Sequence, residues 1–441
     1  MRRMPRTVAA AGIAVLAAST ALAATAAGGT ARARAKPIRI GIVSFLSGPA
    51  ASPFGIPARN GATVLIRALN RGALPKPYNK IGIGGRKIQA IYLDENGSPD
   101  QNVANYRRLV QEKKVDLVIG YISSEDCLAV GPVADQLKQF TVFFDCGTSQ
   151  LFSKPMPYVF RTAGDQSTDA IAAARYVLAL KGKVKSIAGI NQNYAWGQDN
   201  WNTFSAAMKK LDPGVQIKDA LFPNLFAGQY SAEISKLLAD RPDVIYSSFW
   251  GGDLDSLLQQ GLPRGLAKSS TLVLTAADTA LPELGKNFPS GVVVGARGPH
   301  GSLAPKSNPL NRWLVAAYRA KYHTAPVYPV WHMAQAILGV KAAYERAMVK
   351  DHTKVPTQAQ WMAALKGLTF RTPSGTIAMT RSGGHQAAEG SAYGVSAGFN
   401  PKTGEVSLTK VRTYSAACVD APKSMSVSAW IASGFKGARC P

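Results

Sequence analysis

Asp116-Leu-Val-Ile-Gly-Tyr-Ile-Ser-Ser124 and its successor Thr141-Val-Phe-Phe-Asp-Cys-Gly-Thr-Ser149 each read as an apolar strand ending in small hydroxyl residues. In an open parallel sheet the carboxyl ends of strands deliver ligand-contacting groups, and a helix starting just beyond them supplies free N–H groups to an anion. The pair predicts a chain built to hold a small polar molecule.

Outward from this pair, strand and helix patterns alternate. Ile38-Arg-Ile-Gly-Ile-Val-Ser44 is a buried strand, and Ala58, Ala62, Leu65, Ile66 and Leu69 form one helical face after it. A turn at Gly82-Ile-Gly-Gly85 leads into a second strand, Lys87 to Leu93. Ser98-Pro99-Asp100 then opens a helix carrying Val103, Tyr106, Leu109 and Val110 on one side. A helix from about Leu128 separates the two quoted strands. Four βα repeats of this kind predict a doubly wound parallel sheet. After a crossing segment at Tyr158 to Thr162 the pattern restarts, with helices at 168–181, 197–210, 229–239 and 253–260. These precede strands Lys185 to Ile190, Val215 to Leu221, Asp243 to Ser248 and Thr271 to Thr275. A strand at Gly291 to Ala296 reads as a second crossing, helices follow at about 309–321, 329–349 and 357–366, and the chain from Thr369 is turn-rich and β-like. At 441 residues the chain exceeds what one core organises, so two α/β domains of similar plan are expected.

Composition narrows the compartment and the partners. With 46% apolar and 17% charged residues the chain is an ordinary globular one. Arg2, Arg3 and Arg6 followed by an Ala-rich apolar run, Val8 to Leu22, read as an export signal over residues 1–26. The rival, a retained membrane anchor, is opposed by the shortness of the run and by Ser19 and Thr20 within it. A periplasmic or envelope-exterior location is expected. Four cysteines in an exported chain are better read as two bridges than as catalysts or metal ligands. Cys127 and Cys146 each follow one of the quoted strands, and Cys418 and Cys440 would tie down the tail; three pairings are formally possible. The net charge is +25, or +22 once the three signal arginines are removed, which suits anionic surroundings or an acidic partner. The Lys and Arg are scattered without a basic stripe or recognised motif, so no nucleic-acid partner is expected.

Several segments together resemble the substrate-binding proteins that feed branched-chain amino-acid-type ABC transporters. They are Ile40-Gly-Ile-Val-Ser-Phe-Leu-Ser-Gly-Pro49, Phe54-Gly55, Asn60-Gly61-Ala62 and Gly84-Gly85-Arg86-Lys87-Ile88, then Asp94-Glu-Asn-Gly-Ser-Pro-Asp-Gln101, Val118-Ile-Gly120 and Asn193-Tyr-Ala-Trp-Gly197. No single motif decides; their order and spacing from about Ile38 to Val411 do. The resemblance implies the type I periplasmic binding fold: two doubly wound parallel-sheet, Rossmann-like lobes joined by three hinge crossings that close on a ligand. On that plan residues 37–160 with 297–390 form the N-terminal lobe, 161–296 with 391–415 the C-terminal lobe, and 416–441 a tail.

Position by position, the resemblance puts Ser124, with Ser123 beside it, where hydroxyl and backbone N–H hold a ligand carboxylate, and Thr148 on the second such hydroxyl. Phe54 falls on an aromatic lid, Tyr194 and Trp196 on an aromatic wall, and Trp250 where a ring covers an ammonium group. Asp278 falls near the acidic ammonium partner, with Ala277 the alternative if the register slips by one. Each has a simpler role available: helix capping for the serines, core packing for the rings and a solvated loop acid for Asp278. The implied function is that of an extracytoplasmic solute-binding protein of an ABC importer. It would be a monomer without cofactor that captures an amino acid or related organic acid or amide and presents it to a membrane permease. A sensory receptor domain of the same fold is the alternative. An enzyme is not expected: Gly394-Val-Ser-Ala-Gly398 has the serine-hydrolase spacing but no helix after it, and the five histidines are dispersed without metal spacing.

Overall fold

The computed structural model describes residues 36–440, so the expected export segment lies outside the described residues. The first part of the chain runs β1 (Ile38–Ser44), α1 (Ile56–Leu69), β2 (Ile88–Asp94), α2 (Pro99–Gln111), β3 (Leu117–Gly120), α3 (Ser124–Gln136), β4 (Thr141–Phe143) and β5 (Val159–Arg161). The second continues with α4 (Gln166–Lys181), β6 (Ser186–Ile190), α5 (Ala195–Leu211), β7 (Gln216–Leu221), α6 (Ser231–Asp240), β8 (Val244–Ser247), α7 (Gly252–Gly261), β9 (Thr271–Leu274) and β10 (Val293–Gly295). Helices Pro309–Tyr322, Pro329–Lys350 and Gln358–Leu365 follow. The chain then forms β11 (Thr369–Thr372), β12 (Gly375–Arg381), β13 (Gln386–Ala388), β14 (Ser391–Asn400) and β15 (Glu405–Tyr414).

These strands make two sheets, ordered β11-β12-β13-β5-β4-β3-β1-β2 and β15-β14-β10-β9-β8-β6-β7. The β1 to β5 and β6 to β10 portions are parallel throughout. Both parallel cores have their central strands fully buried, as strands covered by helices on both faces must be. The edge strands β2 and β7 are only partly covered. The chain passes between the sheets after β5, after β10 and between β13 and β14, which is the three-crossing, two-lobed α/β plan that the resemblance implies.

Two details differ from the sequence reading for physical reasons. The helix expected from about Leu128 begins at Ser124, because Ser123 is extended (φ −65°, ψ 131°) and Glu125 and Asp126 place negative charge in the first turn. Tyr158 to Thr162, read as a crossing, contains β5, which pairs in parallel with β4 and β13 before the chain leaves the first sheet. The strand expected at Gly291 to Ala296 is β10, held between β9 and β14. Cys127 is bonded to Cys146 with Cα atoms 6.2 Å apart, joining the first turn of α3 to the loop after β4. Cys418 is bonded to Cys440 with Cα atoms 4.6 Å apart.

The crossings meet in a buried polar cluster. Glu389, between β13 and β14, accepts a hydrogen bond from the Gly164 N–H of the first crossing and faces His300 of the second at 3.2 Å. Beside them Arg161 donates to the carbonyls of Cys146 and Thr148 at 2.7 Å and to Gln386.

Candidate functional site

The carboxyl ends of β3 and β4 lie side by side and open toward the second sheet. Beneath them is Glu95, just past β2 and fully buried, whose Oε1 accepts hydrogen bonds from the N–H groups of Ile122 (2.7 Å) and Ser123 (2.9 Å). Burial and the neighbouring Asp126 push the Glu95 carboxyl well above its ordinary range. Ser124, the first residue of α3, is tied to the other loop because its Oγ accepts from the Thr148 N–H at 3.1 Å. Thr148 turns its hydroxyl to Asp199 on α5, to which Ser149 and Gln150 also donate. The Thr148 hydroxyl, read from sequence as a ligand donor, is thus engaged across the lobes.

The aromatic residues converge. Phe54, in the turn between β1 and α1, packs edge-on against Trp250 (centroids 5.3 Å apart) and Tyr328 (5.1 Å). Trp250 also meets Phe45 and Phe226, and its indole N–H donates to the Tyr194 hydroxyl at 2.7 Å. Trp196 is anchored by its indole N–H on the Ser248 carbonyl at 2.8 Å. Phe54, Ile122, Ser124 and Gly147 line the cleft from the first sheet's side and Tyr194, Trp196 and Trp250 from the second's. Their rings close on one another until a cavity of about 10 Å³ remains, room for a single water. A wider, open hollow of about 730 Å³ lies elsewhere, around Lys366, Arg381 and Lys423, and has no aromatic wall.

Three of the residues chosen from sequence lie outside this lining: Ser123, Asp278 and Thr148, whose hydroxyl is taken by Asp199. Ser123 is a backbone donor to Glu95, one residue behind the cleft. Asp278 accepts from the Ser302 N–H (2.8 Å) and hydroxyl (2.6 Å) through Oδ1, and from the Tyr328 N–H (2.7 Å) through Oδ2. It is a buried strut linking the loop after β9 to the start of helix Pro329–Lys350, and burial pushes its carboxyl up to about 6.

Four residues not chosen from sequence also line the cleft, Ile122, Gly147, Arg297 and Tyr328. Arg297 sits at the second crossing, 6% exposed. Its Nη1 donates to the Asp145 carbonyl and carboxylate, and its guanidinium lies over the Trp196 ring at 4.5 Å. Nε faces Asp169 Oδ2 at 3.5 Å. Burial alone would raise Asp145, but Arg297 and His332 hold its carboxyl below the ordinary range. The available signal was a lone charge, Ala296-Arg297-Gly298, directly after an apolar crossing strand.

His300, His332 and Glu389 approach within metal-binding reach of one another. Both nitrogens of His332 are engaged, by Asp145 and by the Arg297 carbonyl, and His300 Nδ1 by Ser374, so the trio acts as pins of the hinge. Ser396 of the hydrolase-like motif lies within β14 and donates its hydroxyl to the Pro289 carbonyl, so the strand, sharp turn and helix of a nucleophile elbow are not formed there.

Comparison with known proteins agrees with this architecture. The sequence profile described as periplasmic binding protein matches residues 37–399. Leu/Ile/Val-binding protein homolog 3 of Brucella melitensis is 27% identical over 373 residues, covering 83% of this chain and 92% of that one. The leucine-specific-binding protein of Salmonella typhimurium is 24% identical over 320 residues, 71% of this chain and 80% of its own. Among solved structures, the solute-binding protein of an ABC transporter from Rhodopseudomonas palustris BisB5, in complex with 3,4-dihydroxybenzoic acid, superposes with a TM-score of 0.73 at 20% identity, covering 88% of this chain and 99% of that one.

Proposed function

The chain belongs to the periplasmic binding protein family, and from that premise we propose that it is the exported solute-binding component of an ABC importer, capturing a small carboxylate-bearing solute between its lobes. The observation that carries the reading is the convergence of Phe54 and Ser124 from one sheet with Tyr194, Trp196 and Trp250 from the other on one cleft, beside three crossings. A ligand that touches both lobes binds the closed form better than the open one, and that difference drives a hinge motion.

In this reading residues 37–160 with 297–390 move against 161–296 with 391–415, while 416–441 rides on the second lobe. The protein performs no chemistry on its cargo, acts as a monomer and hands the solute to a membrane permease. Among the described residues no helix is long and apolar enough to cross a membrane, which suits a carrier released after removal of its signal. Relatives named for leucine, isoleucine and valine and a structural neighbour holding 3,4-dihydroxybenzoic acid support a ligand class of amino acids and small organic acids.

Native mass spectrometry of the secreted protein, followed by small-angle scattering with and without the solute it carries, tests the proposal. A co-purifying acid of low mass and a smaller radius of gyration on binding are expected. Turnover of that solute, or a radius indifferent to it, would overturn the reading.

A further inference from the structure

Within the solute-binding reading above, on which this step rests, the charges around the cleft separate two ligand classes. An α-amino acid presents an ammonium group that needs a carboxylate, or an unopposed ring face, at the site. Among the described residues no carboxylate lines the cleft. Asp278 has both oxygens committed to Ser302 and Tyr328. The charged side chain that does line it is a cation, Arg297, nine-tenths buried and stacked on Trp196.

The guanidinium is flanked by the Tyr328 hydroxyl as well as by two carboxylates, and a ligand carboxylate would share it with that phenol. Nη1 serves Asp145 and Nε faces Asp169, whereas Nη2 points at Gly147, where an added Cβ would lie 2.8 Å from it and 2.2 Å from the Trp196 ring. A glycine at 147 lets the guanidinium and the Trp196 ring close onto the loop backbone. Ser124 stands on the same wall at the start of α3, whose first-turn N–H groups have no intrahelical acceptor.

We propose that Arg297 is the carboxylate-binding and specificity-determining residue of this cleft, and that its ligand is an organic acid with a flat apolar body and no α-ammonium group. The rings of Phe54, Trp250, Tyr194 and Tyr328 sandwich the body, and Arg297 with Ser124 takes the carboxylate. Arg297 opposes a second cation placed among the same rings.

Calorimetric titration of the full secreted chain with 3-phenylpropionate, benzoate, L-phenylalanine, L-leucine and 3-phenylpropanamide tests this without mutating the hinge. The two acids are expected to bind, with L-phenylalanine and the amide each weaker than 3-phenylpropionate by about tenfold or more, the loss typical of an unpaired charge or a missing charge-assisted bond. Arg297→Lys should weaken benzoate by a similar factor, and if that variant does not fold the unmodified series still decides. Equal binding of the amide would remove Arg297 from the ligand. Binding of L-leucine or L-phenylalanine as tight as that of the acids would overturn the proposal while leaving a solute-binding protein. Silence from all five with a cooperatively melting protein would overturn this proposal and leave the solute-binding reading to the mass-spectrometric and scattering test.

Discussion

Asp126 shows how a single side chain near the cleft can report on its surroundings. Burial, with Glu125 adding to it, pushes its carboxyl up to about 7 against the pull of the Asn102 hydrogen bond, and Glu95 stands beside it with one oxygen unpaired. A carboxyl whose folded pKa is raised contributes stability that is fully present below its unfolded value, about 4, and lost as pH rises through the folded value. Asp126→Asn carries no such loss. Relative to the parent it should gain on the order of a few kcal/mol between about pH 4 and about pH 8. Urea unfolding at both pH values checks this, and a difference that does not change with pH would refute a raised Asp126. Tyr194→Phe is a smaller test at the same scale. It deprives the buried Trp250 indole N–H of its acceptor and should cost about 1 kcal/mol, read from the urea midpoint.

At the scale of elements, the β3–α3 and β4 loops are held by covalent and polar ties together. The Cys127–Cys146 bond closes a loop with a sequence separation of 19, and Ser124 and Thr148 join the same two loops by a hydrogen bond. By chain entropy such a bridge contributes about 3 kcal/mol. Replacing both cysteines by Ala should lower the unfolding free energy by that order and speed amide exchange at the start of α3. Exchange confined to other elements would show that the bridge does not hold this corner. Helix and strand identities followed directly from local apolar periodicity. The first turn of α3 did not, because Ser123, Ser124, Glu125 and Asp126 are polar and register as loop until their capping geometry and Glu95 beneath them are seen.

At the scale of the whole molecule, Asp199 ties the two lobes together away from the rings. From α5 it accepts hydrogen bonds from Thr148, Ser149 and Gln150 of the opposite lobe, several charge-assisted contacts on one carboxylate. Asp199→Ala should populate the open form, weaken solute affinity by about five- to tenfold and leave the melting temperature of each lobe nearly unchanged. Scattering and calorimetry on the same sample check both halves, and unchanged affinity would mean that Asp199 plays no part in closure. Order, periodicity and strand-end chemistry, read along the chain alone, pointed to two α/β lobes, because these follow from neighbours close in sequence. The three crossings and the aromatic residues assigned to the cleft came instead from the family resemblance carried by the motifs. Only the tertiary structure decided which polar groups face that cleft. Arg297 reaches it through Asp145, 152 residues away, while Thr148 and Asp278 are drawn off by Asp199, Ser302 and Tyr328. A buried donor or acceptor is satisfied by whichever partner packing brings within about 3 Å, and that choice is made by contacts between segments distant in the chain.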